Sequence, residues 1–294
     1  MPGLADPQAH EYLIKLPTSV SIVTFSSAPV FFTGSIPMIK KSFIAFMAAL
    51  AVLPVIASAE TSCQSLVITG HPAYMPVAWA DQGEIVGAAP ELVSAIAHEV
   101  GVKKVNSKDY GSWEKAQTAV RNGEADVIFG IYKNDERLKW LDFVEPAFMT
   151  DPVSIVVRRG EGFTFSKWED LKGRKGVTNE GESFGNKFDG FMASSLTVKR
   201  AQSVDKAFKA LENKSTDYLI IALYPGQILA RKLGLAAKVE FLPKEVDSFG
   251  MYVGFSKKSK CNALKTAFAG RLRKEVEAGR FESILDAARK KAAN

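Results

Sequence analysis

Residues 112–132 have the sequence SWEKAQTAVRNGEADVIFGIY, an amphipathic segment followed by an apolar one. The first part, 112–122, predicts a helix that ends at Gly123, because glycine is common just beyond a helix C-terminus. The run 126–132 is rich in β-branched and aromatic residues and predicts a buried strand. A helix joined to a buried strand by a short turn is the repeating unit of α/β proteins.

The same alternation continues on both sides of this unit. Further strands are predicted at 65–69, 103–107, 151–158, 175–178, 217–223 and 250–255, and further helices at 91–100, 168–171, 183–192, 204–212, 227–233, 261–278 and 281–292. This order predicts an α/β fold with mostly parallel sheets flanked by helices. Two similar β-α-β units with two long apolar strands between them predict two lobes joined by hinge strands. A cleft between lobes is a common site for small ligands.

The overall composition is that of an ordinary globular protein. Of 294 residues, 47% are hydrophobic and 24% are charged, which disfavours a disordered or fibrous chain. The net charge of +6 comes from 38 basic and 32 acidic residues that are dispersed along the chain. Such a pattern is typical of a solvated surface, so we expect no nucleic-acid partner.

Residues 38–59 have the features of a secretory signal peptide. Two lysines precede the apolar run 43–53, and a small-residue Ala-Ser-Ala sequence ends at Ala59. The run is shorter than the roughly 20 apolar residues of a membrane span, which disfavours a membrane anchor. The flanking residues also disfavour a buried core helix. We therefore expect export to the periplasm without membrane insertion after cleavage, and we interpret residues 1–37 as a non-native upstream extension.

The chain has two cysteines, Cys63 and Cys261. An exported protein meets an oxidising compartment, which favours a disulfide between them. The alternatives are two buried thiols or a lipid anchor on Cys63, and the preceding Glu-Thr-Ser sequence disfavours the anchor. Two cysteines and the scattered His71 and His98 give no metal-ligand pattern, so we expect neither a metal nor another cofactor.

Several stretches occur together in a characteristic order across the exported part of the chain. They are Gly70-His-Pro-Ala-Tyr-Met-Pro, Gly83-Glu-Ile-Val-Gly-Ala-Ala-Pro-Glu-Leu, Trp113 with Gly123-Glu-Ala-Asp-Val-Ile, Asp135-Glu-Arg-Leu-Lys-Trp-Leu-Asp-Phe, Asp170-Leu-Lys-Gly-Arg-Lys-Gly-Val and Gly181-Glu-Ser. From about Cys63 onward the chain thereby resembles the bacterial extracellular solute-binding proteins of family 3, the polar amino acid receptors of ABC importers.

The resemblance implies a two-lobed periplasmic binding protein of type II-like architecture. It implies that lobe one spans about 63–153 plus 252–294, that lobe two spans about 154–251, and that the lobes close around a ligand by hinge motion. It also implies a monomer without enzymatic activity that delivers its solute to an ABC transporter permease.

Arg137 aligns with the family's arginine that grips the ligand carboxylate. A guanidinium offers a planar fork that suits a carboxylate in two-point contact. The charge pattern alone instead favours a surface arginine paired with Asp135 or Asp142. Ser183 aligns with a position that meets the same carboxylate through its hydroxyl and backbone N–H at a helix N-terminus. Simple capping of that helix is the other interpretation of Ser183, and both roles can hold at once.

Two further pairs of residues are assigned by the resemblance. Tyr74 and Trp113 align with positions that bracket the ligand side chain, and core packing is the alternative, above all for Trp113. Gly130 and Tyr132 align with positions whose backbone carbonyl and side chain meet the ligand amine. Tyr132 narrows that pocket relative to the serine or threonine that is frequent there.

One departure from the family pattern leaves the ligand open. The family often has an acidic residue, five positions after an aspartate of the second lobe, that pairs with the ligand ammonium. At this offset from Asp217 the chain has Ala222. Either Glu182 or another carboxylate replaces the missing acid, or the ligand is not an α-amino acid. A carboxylate on the ligand is therefore better supported than an amine.

Capture of a small carboxylate-bearing solute for an ABC importer is the function that these features predict. A sensory receptor for a membrane protein would use the same pocket. Some cyclohexadienyl dehydratases share this fold. If this chain were such an enzyme, Glu182 would be the candidate for its general acid. No nucleophile–base pair, metal cluster or phosphate loop in the sequence favours catalysis.

Overall fold

The computed structural model describes residues 63–293, with side chains described as far as residue 291. The predicted upstream extension, 1–37, and the predicted signal peptide, 38–59, lie outside these residues. Within 63–293, no helix combines the length and the apolar character needed to cross a bilayer.

The described part of the chain alternates strands and helices along most of its length. The strands are β1 (Ser65–Thr69), β2 (Ala73–Tyr74), β3 (Ala78–Asp81), β4 (Glu84–Val86), β5 (Lys104–Ser107), β6 (Val127–Tyr132), β7 (Leu141–Arg158), β8 (Lys175–Asn179), β9 (Thr197–Ala201), β10 (Tyr218–Ala222) and β11 (Val239–Ser256). The helices are α1 (Ala88–Glu99), α2 (Trp113–Asn122), α3 (Asp135–Leu138), α4 (Gly185–Ser195), α5 (Val204–Glu212), α6 (Leu223–Lys232), α7 (Lys265–Glu277) and α8 (Arg280–Ala293). Short 3₁₀ turns occupy Trp168–Leu171 and Asn262–Leu264.

Eight strands form one sheet in the order β5-β1-β6-β11-β7-β10-β8-β9. On one side β1 pairs in parallel with β5 and β6, and on the other β8 pairs in parallel with β9 and β10. The long strands β7 and β11 run antiparallel to each other between these two parallel sets. The predicted fold class is confirmed. We call the half built on β5, β1 and β6 lobe one, and the half built on β10, β8 and β9 lobe two.

The helix predicted from the opening stretch is present as α2. The Ser112 hydroxyl accepts a hydrogen bond from the N–H of Lys115 at 3.2 Å and so satisfies one of the free donors at the helix start. The helix ends at Gly123, whose φ of 83° lies in the left-handed region that glycine enters without a Cβ clash. Local sequence signals therefore define both ends of α2.

The two long strands are longer than predicted. β7 begins at Leu141 and β11 at Val239, whereas the sequence predicted starts at 151 and 250. The added parts carry charged residues such as Asp142 and Glu145 among the apolar ones, which blurs the alternation typical of a strand. Their mutual pairing, from Val239 with Arg158 to Ser256 with Leu141, stabilises them instead.

A small antiparallel sheet of β2, β3 and β4 directly follows β1 and was not predicted. Its strands have two to four residues, too few for an alternation pattern to identify. This sheet positions Tyr74 at the edge of lobe one. The single-turn helix α3 was missed for the same reason of length, and β9 was missed because its sequence, TVKRA, is short of apolar residues.

The disulfide between Cys63 and Cys261 is present. It joins the residue two positions before β1 to the start of the turn that leads into α7, across a sequence separation of 198. Both cysteines are buried in the main hydrophobic cluster, which is continuous with the centre of the sheet through residues such as Leu66, Phe129 and Phe255. The link therefore fastens the first strand to the C-terminal helices.

Candidate functional site

The predicted site residues lie in or after strands β1, β5, β6 and β8. In α/β sheets, ligands bind outside the carboxyl ends of the strands, where loops and helix N-termini converge. Arg137 follows β6 in lobe one, and Gly181 to Ser183 follow β8 in lobe two. These segments contact each other, and we call the space that they line the crevice.

Arg137 is 3% exposed, and its guanidinium is held by groups from both lobes. Its Nη1 donates to the carbonyl oxygen of Tyr132 at 2.9 Å, and its Nε donates to Oε1 of Gln117 at 3.3 Å. Its Nη2 donates to the carbonyl oxygen of Gly181 in lobe two at 3.1 Å. The alternative of a surface arginine is therefore wrong. Gln117, on the inner face of α2, was missed by the sequence analysis.

Burial lowers the pKa of Arg137 to about 10, while the nearby carboxylates of Glu182 and Asp189 act in the opposite direction. The guanidinium therefore remains a cation at neutral pH. A guanidinium has five N–H groups, and the three contacts above use three of them. One N–H on each terminal nitrogen has no partner among the described residues, which suits two-point contact with a carboxylate.

Ser183 also bridges the lobes. Its hydroxyl accepts a hydrogen bond from Nδ2 of Asn134 at 2.6 Å and donates to the carboxylate of Asp189. Asp189 in turn accepts from the N–H of Phe184 at 2.8 Å, and α4 starts at Gly185. Ser183 does not cap α4, because the N-cap residue is Phe184 and no side chain among the described residues accepts from the first N–H groups of this helix. Its contact with a ligand carboxylate stays a prediction.

Trp113 is 3% exposed and packs with α2 and β6 residues such as Ala116 and Ile128. Its ring centroid lies 5.2 Å from that of His71 and 5.8 Å from the guanidinium carbon of Arg137. Core packing, the alternative noted above, accounts for most of this environment. Trp113 therefore supports Arg137 and His71 from behind, and its contact with a ligand stays a prediction.

His71 and Glu182 face each other across the crevice. Nδ1 of His71 accepts a hydrogen bond from the N–H of Ala73 at 2.9 Å, which leaves the proton of a neutral imidazole on Nε2. Nε2 lies 3.3 Å from Oε1 of Glu182, and both side chains are largely buried. Glu182 thus lies at the contact between the lobes, where the sequence analysis placed a candidate carboxylate.

Tyr74 and Tyr132 meet at a buried carboxylate that the sequence analysis missed. Their phenol oxygens lie 3.0 Å apart, and both donate to Oδ2 of Asp151, from Tyr132 at 2.5 Å. Asp151 lies in β7 and is fully buried. Its Oδ1 has no hydrogen-bond partner within the described part of the chain. The only signal in the sequence is a carboxylate next to an otherwise apolar strand segment.

Burial raises the pKa of Asp151 to about 6, although the hydrogen bonds from the two tyrosines favour its ionised form. Glu182 raises this pKa further through charge repulsion. Burial, the charge of Asp151 and hydrogen bonding to it raise the pKa of both tyrosines well above the usual value, so their hydroxyls stay protonated donors. Such a carboxylate without a cationic partner is costly to bury and is typical of functional sites.

Gly130 lies within β6 with a φ of 69° and is half-buried. A Cβ at this position would lie 3.3 Å from Cε of Met251, so the backbone conformation more than the available space favours glycine. The contact predicted between its carbonyl and a ligand amine stays a prediction.

A cavity of about 20 Å³ lies between the lobes, enough for one water molecule but not for an amino acid. Its polar lining includes His71, Tyr74, Tyr132 and Glu182. A wider groove on the other side of Glu182 is lined by Arg137 and Ser183. Binding of an organic solute at the cavity therefore requires the two lobes to move apart.

The family model of the bacterial extracellular solute-binding proteins, family 3, matches residues 66–287. The chain belongs to this family. The resemblance noted in the sequence is thereby confirmed, and the protein is a solute-binding protein by family. A comparison with curated proteins gave no match. Within residues 63–293, no group of three or more histidine, cysteine or acidic residues is arranged to hold a metal ion.

Solved structures share the fold of this family 3 protein. A histidine kinase sensor domain similar to periplasmic binding proteins is 22% identical, with a TM-score of 0.62 over 76% of this chain and 94% of that one. An amino acid ABC transporter substrate-binding protein from Streptococcus pneumoniae bound to L-arginine is 21% identical, with a TM-score of 0.63 over 79% and 97%. A binding protein for arginine, lysine and histidine from Geobacillus stearothermophilus is 20% identical, with a TM-score of 0.60 over 75% and 93%.

Proposed function

We propose that the protein captures a small carboxylate-bearing solute, an amino acid or a related organic acid or amine, and delivers it to an ABC importer. The observation that carries this proposal is the environment of Arg137. Its buried guanidinium lies between the lobes, contacts a carbonyl oxygen of each, and keeps two N–H groups for a further acceptor. A ligand carboxylate in this position would contact lobe one directly and favour the approach of lobe two.

The lobe boundaries that we propose are 63–153 plus 252–294 for lobe one and 154–251 for lobe two. β7 and β11 pass through both halves of the sheet, and each boundary falls within one of these strands. Two continuous strands allow a hinge motion that needs little repacking within either lobe. Direct contacts between the lobes, such as Asn134 with Ser183 and Asp135 with Asn186, would form when the hinge closes.

We further propose that the mature protein is a periplasmic monomer, released by cleavage of the signal peptide 38–59, and that it binds without catalysis. The family, whose members are extracellular solute-binding proteins, supports this location. Incubation with prephenate or arogenate tests the absence of catalysis, because turnover of either compound would contradict it.

A sensory receptor is the second candidate function. It is favoured by the similarity to a histidine kinase sensor domain. Ligand capture would be the same, but the partner would be a membrane sensor instead of a permease. Uptake of the identified solute by a strain that lacks the protein separates the two, since loss of uptake supports transport and unchanged uptake supports sensing.

A thermal-shift screen tests solute capture directly. The panel contains the standard amino acids, their decarboxylated amines and their desamino acids, and it includes L-arginine because the Streptococcus pneumoniae protein binds it. A ligand that binds the folded state raises the melting temperature, because it stabilises that state by RT ln(1 + L/Kd), where L is the free ligand concentration. We expect at least one carboxylate-bearing compound to raise it, and calorimetry then gives the dissociation constant. A panel without any stabilising compound would contradict the proposal.

A further inference from the structure

Asp151 is a buried anion that the proposed carboxylate site leaves unexplained. It is fully buried, and no lysine, arginine or histidine within residues 63–293 forms an ion pair with it. One oxygen accepts from two phenols and the other has no partner among the described residues. An apolar side chain would suffice if this position only had to pack β7 into the core, because an unpaired buried carboxylate strongly destabilises the folded state.

The surroundings of Asp151 suit a positive charge. Tyr74 and Tyr132 donate their hydroxyl protons to Asp151, so the phenol oxygens have only lone pairs to offer a further partner. Both tyrosines line the cavity together with the carboxylate of Glu182. The donors of the lining, Nε2 of His71 and the amide of Asn179, lie 3.3 Å from each other, and Nε2 of His71 also contacts Glu182. The two phenol oxygens therefore offer acceptors to the cavity, and the negative charge of Asp151 lies directly behind them.

The anionic end and the cationic end of the crevice meet at one residue. Tyr132 donates from its hydroxyl to Asp151 and accepts at its backbone carbonyl from Arg137. Ala222, which occupies the position where the family often has an acidic residue, lines the same cavity and provides no charge. A counter-charge for a ligand cation at this cavity must therefore come from another residue.

We propose that Asp151, together with the hydroxyls of Tyr74 and Tyr132, binds the protonated amine of the ligand, and that the ligand therefore carries a cationic group besides its carboxylate. This inference rests on the proposed solute capture and narrows its ligand class to zwitterions and cations. The amine would donate to the phenol oxygens and neutralise Asp151 when the lobes close over it.

The test compares matched ligands on matched variants. The ligands are pairs of an amino acid with an uncharged side chain and its desamino acid, such as L-glutamine with 4-carbamoylbutanoate and L-leucine with 4-methylpentanoate. The variants are Asp151→Asn, which keeps the shape and removes the charge, and the control Asp142→Asn on the same strand. Asp142 contacts Asn262 and Lys265 and lines no part of the cavity.

We expect the unaltered protein to prefer the amine-bearing member of a pair. Asp151→Asn should lower the affinity for the amine-bearing member by roughly 30-fold or more, because removing one partner of a buried charge pair has an effect of this size. The same substitution should leave the affinity for the desamino acid unchanged, and Asp142→Asn should leave both unchanged. Isothermal titration calorimetry on the full mature chain gives each constant.

Two results would overturn the role of Asp151 while solute capture stands. They are equal affinity of the unaltered protein for both members of every pair, and retention of amine affinity by folded Asp151→Asn. If no compound binds the unaltered protein, the result contradicts the proposed solute capture and therefore also the role of Asp151. If Asp151→Asn does not fold, Tyr132→Phe removes one donor to the carboxylate and one amine acceptor, and an unchanged amine preference in that variant would also overturn the role.

Discussion

The guanidinium of Arg137 in lobe one donates a hydrogen bond to the carbonyl oxygen of Gly181 in lobe two at 3.1 Å. Gln117 donates to the same carbonyl at 3.0 Å, so one peptide group of lobe two is held by two side chains of lobe one. If Arg137 binds the ligand carboxylate as proposed, it also couples ligand binding to closure, because both interactions depend on the same cation.

Replacement of Arg137 by alanine is expected to abolish or strongly weaken solute binding. A ligand carboxylate would lose its main counter-charge in a crevice largely shielded from water, which costs at least about 30-fold in affinity. Arg271→Ala is the control, since Arg271 is half-exposed, pairs with Glu99, and lines neither the cavity nor the groove that Arg137 lines. Calorimetry with the best ligand of the thermal-shift panel measures both. Equal affinity of Arg137→Ala and the unaltered protein would contradict the carboxylate site.

Gly181→Ala is expected to hold the lobes apart. The φ of Gly181 is 81°, and a Cβ there would lie 2.8 Å from Nε2 of Gln117 and 2.9 Å from Oε2 of Glu114, both in lobe one. The ends of these two side chains can turn aside, but the same Cβ would lie 3.2 Å from the Cα of Glu114, which moves only with the backbone of lobe one. The variant should therefore show a larger radius of gyration by small-angle X-ray scattering and a weaker ligand affinity. Ligand should also reduce that radius less than in the unaltered protein.

Gly173→Ala separates lobe opening from backbone strain. Gly173 has a similar φ of 78°, but a Cβ on it would meet no atom within 4 Å. The control should lose a similar amount of stability from its positive φ and keep the scattering profile and the affinity of the unaltered protein. The same change in radius for both variants would show that strain, and not the contact with lobe one, is responsible.

Loss of the Cys63–Cys261 disulfide is expected to destabilise the fold without changing the ligand site. The bond spans a sequence separation of 198, and chain-entropy models give about 5 kcal/mol for loops of this size. The double variant Cys63→Ser/Cys261→Ser should therefore melt roughly 10–20 °C lower than the oxidised protein. Calorimetry below the melting range should give an unchanged dissociation constant. Mass spectrometry that found two free thiols in the exported protein would contradict the link.

The sequence predicted most of the fold because the decisive signals are local. The helix α2 has a serine at its start and Gly123 at its end, and β6 is an uninterrupted apolar run. The extensions of β7 and β11 could not be predicted, because their stability comes from pairing between segments about a hundred residues apart, as between Val239 and Arg158.

Arg137 shows how much of the candidate site the sequence could support. Its charge pattern favoured a surface position, and only the family resemblance placed it in the crevice. Asp151 was missed because nothing near it in sequence marks it. Its partners Tyr74 and Tyr132 lie 77 and 19 residues away, and the carboxylate becomes conspicuous only when folding brings two phenols and a cavity to it.

The pH dependence of stability offers a test of the buried charge on Asp151 that needs no ligand. The pKa of this carboxyl is about 6 in the folded protein, compared with the ordinary value of 3.8. Below about pH 3 the group is protonated in both the folded and the unfolded chain, so it costs the fold nothing. As the pH rises from about 3 to 7 the unfolded chain ionises first, and the free energy of unfolding falls by roughly 3 kcal/mol in total.

Asp151→Asn removes this titration. The free energy of unfolding of the variant, relative to that of the unaltered protein, should therefore increase by roughly 3 kcal/mol between pH 3 and pH 7. Urea denaturation at a series of pH values measures the free energy of unfolding of both proteins. Titrating groups that the two proteins share cancel when one value is subtracted from the other.

Glu182 faces Asp151, so Glu182→Gln is measured as well, and it should lower the pH at which Asp151 titrates. Asp142→Asn should give no comparable increase, because Asp142 is partly exposed and paired with Lys265. A difference between Asp151→Asn and the unaltered protein that stays constant from pH 3 to pH 7 would show that Asp151 is not held as a buried, unpaired acid.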